Sequence, residues 1–165
     1  MLICPWTPSG TCRSPYIAPK DDHGEYELGV VAPERIEHCV EHNLCQVCGK
    51  SLSGTVALVA PDWESDENAF TEAPMHVECA ESALALCPHL ARRSFHGSHG
   101  MAKAESGYTI VVTARWVAEG PCCHDGEPRR HWLLTGEPLQ VRRFDYGGDG
   151  KLAEVDAATM GARQR

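Results

Sequence analysis

Apolar residues recur in several blocks separated by polar punctuation, and their spacing changes from block to block. In PERIEHCVEHN, Pro33 to Asn43, the residues Ile36, Cys39 and Val40 fall three and four apart. Proline suits a first helical position and acids suit an opening turn, so this segment predicts a short helix. GTVALVAP, Gly54 to Pro61, is a compact apolar run that predicts a strand. An acidic loop, DWESDEN at Asp62 to Asn68, and a second extended piece at Ala69 to Thr71 would turn that strand into a hairpin. PMHVECAESALALCPHL then reads as a helix that starts at Pro74, is filled by Ala and Leu, and stops at Pro88 near Cys87. The longest strand signal is YTIVVTARWVAEG, Tyr108 to Gly120, rich in β-branched and aromatic residues and free of internal breakers. PCCHDGEPRR reads as a turn-rich connection, and HWLLTGEPLQVRRFDYGGDGK supplies one or two more strands with turns at Gly136 and Gly147-Gly148.

These blocks predict an α+β fold in four sections. Residues 1–32, rich in Pro, Gly and Ser, form an irregular arm; 33–100 form a unit of helix, turn, hairpin and helix; 101–152 form a β-rich segment with an antiparallel sheet packed on it; 153–165 form a tail, weakly helical or frayed. The 165 residues, 42% of them hydrophobic, are enough for one compact core. No apolar run reaches about 18 residues, and the opening MLICPWTPSG lacks a basic start and an apolar stretch. No membrane span or secretory leader is therefore expected, and the expected location is cytoplasmic.

The formal charge of −8 argues against broad, sequence-independent binding to nucleic acid, whose affinity comes mainly from Lys and Arg at phosphates. The doublets Arg92-Arg93, Arg129-Arg130 and Arg142-Arg143 leave room for a local basic contact. Arg92 and Arg93, with His96 and His99 in the polar loop HGSHG, make up a candidate contact surface.

Nine cysteines and nine histidines change the picture most. An odd cysteine count without a leader fits a reducing compartment, where clustered Cys and His bind metal more often than they form disulfides. In LCQVCGKSL a tight bend can aim Cys45 and Cys48 at one point, and Gly49 allows the left-handed backbone such a bend requires. His76 and Cys79, three apart in the first turn of the second helix, share one face and can complete a Cys3His tetrahedron around a structural Zn2+. A redox Cys-x-x-Cys normally follows a strand and opens a helix, the reverse of the order here. Cys87 would stand about 12 Å along the helix from Cys79, too far to share an ion with bonds of about 2.3 Å.

This succession of knuckle, hairpin and ligand-bearing helix resembles the treble-clef zinc fingers over roughly Leu44 to Cys87. The resemblance implies a small zinc-binding unit spanning 33–100, with Zn2+ in a structural role. The pattern CxxCG…HxxC…CPHL is also similar to small uncharacterised proteins of actinobacteria and their phages, which implies an accessory protein acting on a host or phage macromolecule. A second metal site could draw on Cys4, Cys12, Cys39 and His42, with His38 and His42 one turn apart; Cys122, Cys123, His124 and His131 form a weaker set.

Treble clefs serve many roles, so the fold does not name the function. The serious catalytic alternative is an HNH-like metal-dependent nuclease, which needs a general-base His at a strand end and a cation open to water. The histidines of EHN and HGSHG are misplaced for that, and no phosphate loop, GxSxG or HExxH occurs. The expected function is a non-enzymatic, zinc-stabilised interaction or regulatory module whose partner is a protein or, failing that, local DNA.

Overall fold

The computed structural model describes residues 15–27, 30–91, 93, 107–124 and 127–155. Helix α1 spans Pro33–His42, with Pro at its start. It ends where Asn43 turns left-handed (φ 52°) and returns its N–H to the carbonyls of Cys39 and Val40. The Asn43 side chain then donates to the Leu52 carbonyl at 3.0 Å, so the helix exit is tied to the far side of the bend that follows.

Strand β1 (Val56–Pro61) leads into a short helix α2 (Asp62–Glu67), and helix α3 (Val77–Leu86) leads into the single turn α4 (Pro88–Ala91). Strands β2 (Gly107–Thr113), β3 (Trp116–His124), β4 (Glu127–Leu134), β5 (Gln140–Tyr146) and β6 (Leu152–Glu154) follow among the described residues. The described residues form a four-stranded antiparallel sheet in the order β1-β2-β5-β6 and a two-stranded sheet β3-β4.

Several expectations fail for physical reasons. The segment Asp62 to Glu67 is helical, not a loop, and Asn68 closes it with a left-handed turn (φ 53°). The expected hairpin between β1 and Ala69–Thr71 is not made: β1 pairs with β2 along its whole length, while Phe70 pairs with Trp132. Val56 to Ala60 are all buried, so β1 requires a long apolar neighbour that a three-residue piece cannot supply. The run Tyr108 to Gly120 is two strands in different sheets. The Thr113 hydroxyl accepts from the Arg115 amide and donates to its carbonyl, both at 3.0 Å, folding a corner between β2 and β3. Residues 121–124 and 127–130 of PCCHDGEPRR likewise belong to the β3-β4 ladder, with an irregularity between Glu119 and Cys122. At the C-terminal end Leu152–Glu154 is a strand, and residues 156–165 lie outside the described residues.

The sheet is covered on both faces. Ala57, Val59, Ile110 and Val112 pack with Cys45, Met75, Cys79, Ala80 and Leu84. Leu58, Ala60 and Val111 pack with Phe70, Ala73 and Trp132, with Ile36 and Val40 of α1 at the margin. Helix α3 is fastened to the sheet's far strands by Arg142 of β5, which reaches Glu154 through two hydrogen bonds of 2.7 and 2.8 Å and pairs with Glu81. The Tyr146 hydroxyl donates to the Leu90 carbonyl at 2.6 Å and holds α4 in the same way.

Candidate metal centre

The bend after α1 is a knuckle closed by backbone hydrogen bonds. The Cys45 amide donates to the Lys50 carbonyl and the Gly49 amide to the Cys45 carbonyl, each at 2.8 Å, and Leu44 pairs with Ser51. Gly49 is left-handed (φ 69°), and a Cβ there would meet Tyr16 Cδ2 at 2.6 Å, so this position needs glycine twice over. The residues Tyr16 and Ile17 donate their amides to the Val47 and Gln46 carbonyls and pin the knuckle from outside.

The second half comes from the start of α3. His76 is the extended N-cap residue (ψ 151°), and Cys79 lies three residues on, in the first turn. This brings His76 Nδ1 to 3.4 Å from Cys48 Sγ and 3.7 Å from Cys79 Sγ. One donor atom from each of Cys45, Cys48, His76 and Cys79 lies within 4.8 Å of the other three. Metal–sulfur bonds of about 2.3 Å and metal–nitrogen bonds of about 2.0 Å imply tetrahedral edges of roughly 3.5 to 3.8 Å, so the donor set fits a single ion. A four-coordinate ion held by this set would have only protein atoms at its vertices and no open position for substrate.

The orientation of His76 depends on an atom that side-chain spacing does not reveal. Its Nε2–H donates to the Ser51 carbonyl at 3.2 Å, which leaves the Nδ1 lone pair aimed at the sulfurs. The knuckle therefore contributes two thiols and also the backbone group that sets the imidazole tautomer.

Burial gives the thiols their chemistry. Cys45 and Cys79 are buried, Cys48 and His76 partly so. Burial pushes the Cys45 thiol up, against the amides of Cys48, His76 and Val47, which favour its thiolate. Burial and then the neighbouring Cys45 push Cys79 well above the ordinary thiol range. Burial and mutual repulsion thus oppose the thiolates of Cys45 and Cys79, and a divalent ion among the donors would remove that repulsion and take the place of the protons.

Cys87 caps the end of α3 and is not in the donor set. Cys39 is buried on α1, its thiol pushed up to about 11 by burial and then by Cys45 and Cys48. Of the proposed second set, Cys4 and Cys12 lie outside the described residues, and the group that forms around His42 contains His38 and Glu41, not Cys39. Of the candidate contact surface, Arg92, His96 and His99 lie outside the described residues; Arg93 is exposed, its amide donating to the Gly150 carbonyl at 2.9 Å. Arg142 is engaged by Glu81 and Glu154. Among the described residues no helix is long and apolar enough to cross a membrane.

Comparison with protein-family models, with curated proteins and with solved structures finds no match to this chain, so the likeness to proteins of actinobacteria and their phages gains no support from it.

Proposed function

We propose that the chain is a non-enzymatic interaction or regulatory module whose knuckle and α3 are held together by one structural Zn2+ on Cys45, Cys48, His76 and Cys79. The observation that carries this reading is the convergence of four protein donors within 4.8 Å, two from a bend and two from a helix start, with Cys45 and Cys79 in the buried core. That arrangement supports a treble-clef-like unit in which the hairpin between knuckle and helix is reduced to one reciprocal pair, Ala57 with Met75 at 2.8 and 3.0 Å. Zinc suits three thiolates and an imidazole better than harder divalent ions do.

A saturated coordination sphere favours binding over HNH-like cleavage, which requires an ion open to water. A protein partner is favoured over DNA by the net charge of −8 and by the engagement of Arg142 with two carboxylates. The test is elemental analysis of the purified chain, followed by affinity capture with chelated and zinc-loaded protein as bait. We expect one zinc per chain and a protein partner retained only by the loaded bait. Metal-free folded protein would remove the zinc reading, and divalent-cation-dependent plasmid cleavage abolished by changing a histidine other than His76 would replace binding by catalysis.

A further inference from the structure

The last turn of α1, just before the knuckle, gathers three further side chains that carry metal-donor atoms. His38, Glu41 and His42 are three and four residues apart, the spacings that place helical side chains on one face. One donor atom from each lies within 4.8 Å of the other two. The two imidazole rings already face each other, their centroids 4.2 Å apart. His42 donates from Nδ1 to the His38 carbonyl at 3.2 Å, which fixes its tautomer and leaves Nε2 as its lone pair.

We propose that His38, Glu41 and His42 form a second, solvent-open cation site for a borderline divalent ion of the Zn2+, Co2+ or Ni2+ class. Two imidazoles and one carboxylate suit such ions and leave positions open to water or to a ligand from a partner. The site occupies the C-terminal turn of a helix, where the helix dipole favours positive charge. Its immediate cation is drawn elsewhere: Arg35 donates to the carbonyls of Tyr16 and Ala18 at 2.8 and 2.9 Å and stacks over the Tyr16 ring. The Tyr16 ring stands 6.2 Å from that of His38 and shields one side, while Glu41 and His42 are exposed. Unlike the Cys3His set, this site lies outside the core, so its ion exchanges without unfolding the chain.

The test is calorimetric titration of the untagged full-length chain with Ni2+ alone, repeated for His38→Ala, His42→Ala, Glu41→Gln and the control His23→Ala. We expect a weak site whose affinity falls about tenfold or more in either of the first two variants, a loss at least as large as that caused by changing supporting groups around a metal. Glu41→Gln should weaken it less, and His23→Ala should leave it unchanged. Circular dichroism should be the same for all, because none of these side chains is in the core. Absence of Ni2+ binding at millimolar concentration, or an isotherm identical in the His38→Ala/His42→Ala double variant, overturns the proposal. The zinc retained by the His38→Ala/His42→Ala double variant, measured separately, reports on the Cys3His reading, so each can fail without the other.

Discussion

Individual side chains at the knuckle do more than one job, and that makes them sensitive. Cys79 belongs both to the donor set and to the core cluster with Leu84, Ile110 and Val112. Cys79→Ser should abolish stoichiometric metal retention, because a neutral hydroxyl is a poor fourth ligand and a polar group is left buried. Elemental analysis and a thermal melt check both parts. Gly49→Ala should cost about 2 kcal/mol or more, since it forces a side chain into left-handed backbone and drives its Cβ into the Tyr16 ring. Pairing it with Tyr16→Ala separates the causes: the clash is relieved and the backbone strain remains. At this scale the sequence was informative. The ligands are three residues apart in a bend and three apart on a helix, and both spacings are local geometry. The Ser51 carbonyl that orients His76 was not legible, because every residue carries a carbonyl and only the fold brings this one within 3.2 Å.

Elements show the opposite balance. The first helix, the first strand and the ligand-bearing helix were readable from their apolar spacing, and they form at nearly the expected bounds. Strand pairing was not, because the partner of β1 begins at Gly107, far along the chain, and no local pattern encodes which of several apolar runs will lie beside it. The corner at Thr113 was equally hidden, since a hydroxyl that bonds the backbone two residues on interrupts a strand without any Gly or Pro. Asn68 carries a comparable device. Its side chain donates to the Leu134 carbonyl at 3.2 Å and accepts from the Leu134 amide at 2.9 Å, as a neighbouring strand would. Next to it Phe70 and Trp132 exchange backbone bonds of 3.0 and 2.9 Å, so Asn68 extends that pairing and binds α2 to β4. Asn68→Ala should destabilise by about 1–3 kcal/mol by leaving both Leu134 groups unpaired. Asn68→Asp should cost at least as much, because it keeps the acceptor and sets a carboxylate oxygen against the carbonyl. Urea denaturation of the two variants measures the difference.

For the whole molecule, metal, core and pH are linked. The Cys3His set sits in the cluster on one face of the central sheet, while Phe70, Trp132 and Val111 fill the other. Chelation should therefore lower the melting temperature and release the protection of amides in α3 before those of β4, a sequence that hydrogen exchange resolves by element. Uniform loss across both faces would instead mark a single cooperative unit. Alkaline pH should act through Cys39. Its folded thiol keeps its proton up to about 11 instead of 9.0, so its contribution is fully present below pH 9 and is lost as pH rises through 11. The gap corresponds to an upper limit of roughly 3 kcal/mol. The stability difference between the wild type and Cys39→Ala should accordingly shrink between these limits, as read from urea midpoints.

One pair of residues joins these scales. β1 is the outermost strand of its sheet, and its free side is met by Met75, the residue immediately before His76. The turn that places His76 in the candidate donor set thus also covers part of a strand edge whose bare amides would otherwise be open to a strand from another molecule. If the proposed ion holds that turn in place, chelation should free the edge, and concentrated solutions of the chelated chain should scatter light and bind amyloid dyes well before the rest of the fold is lost.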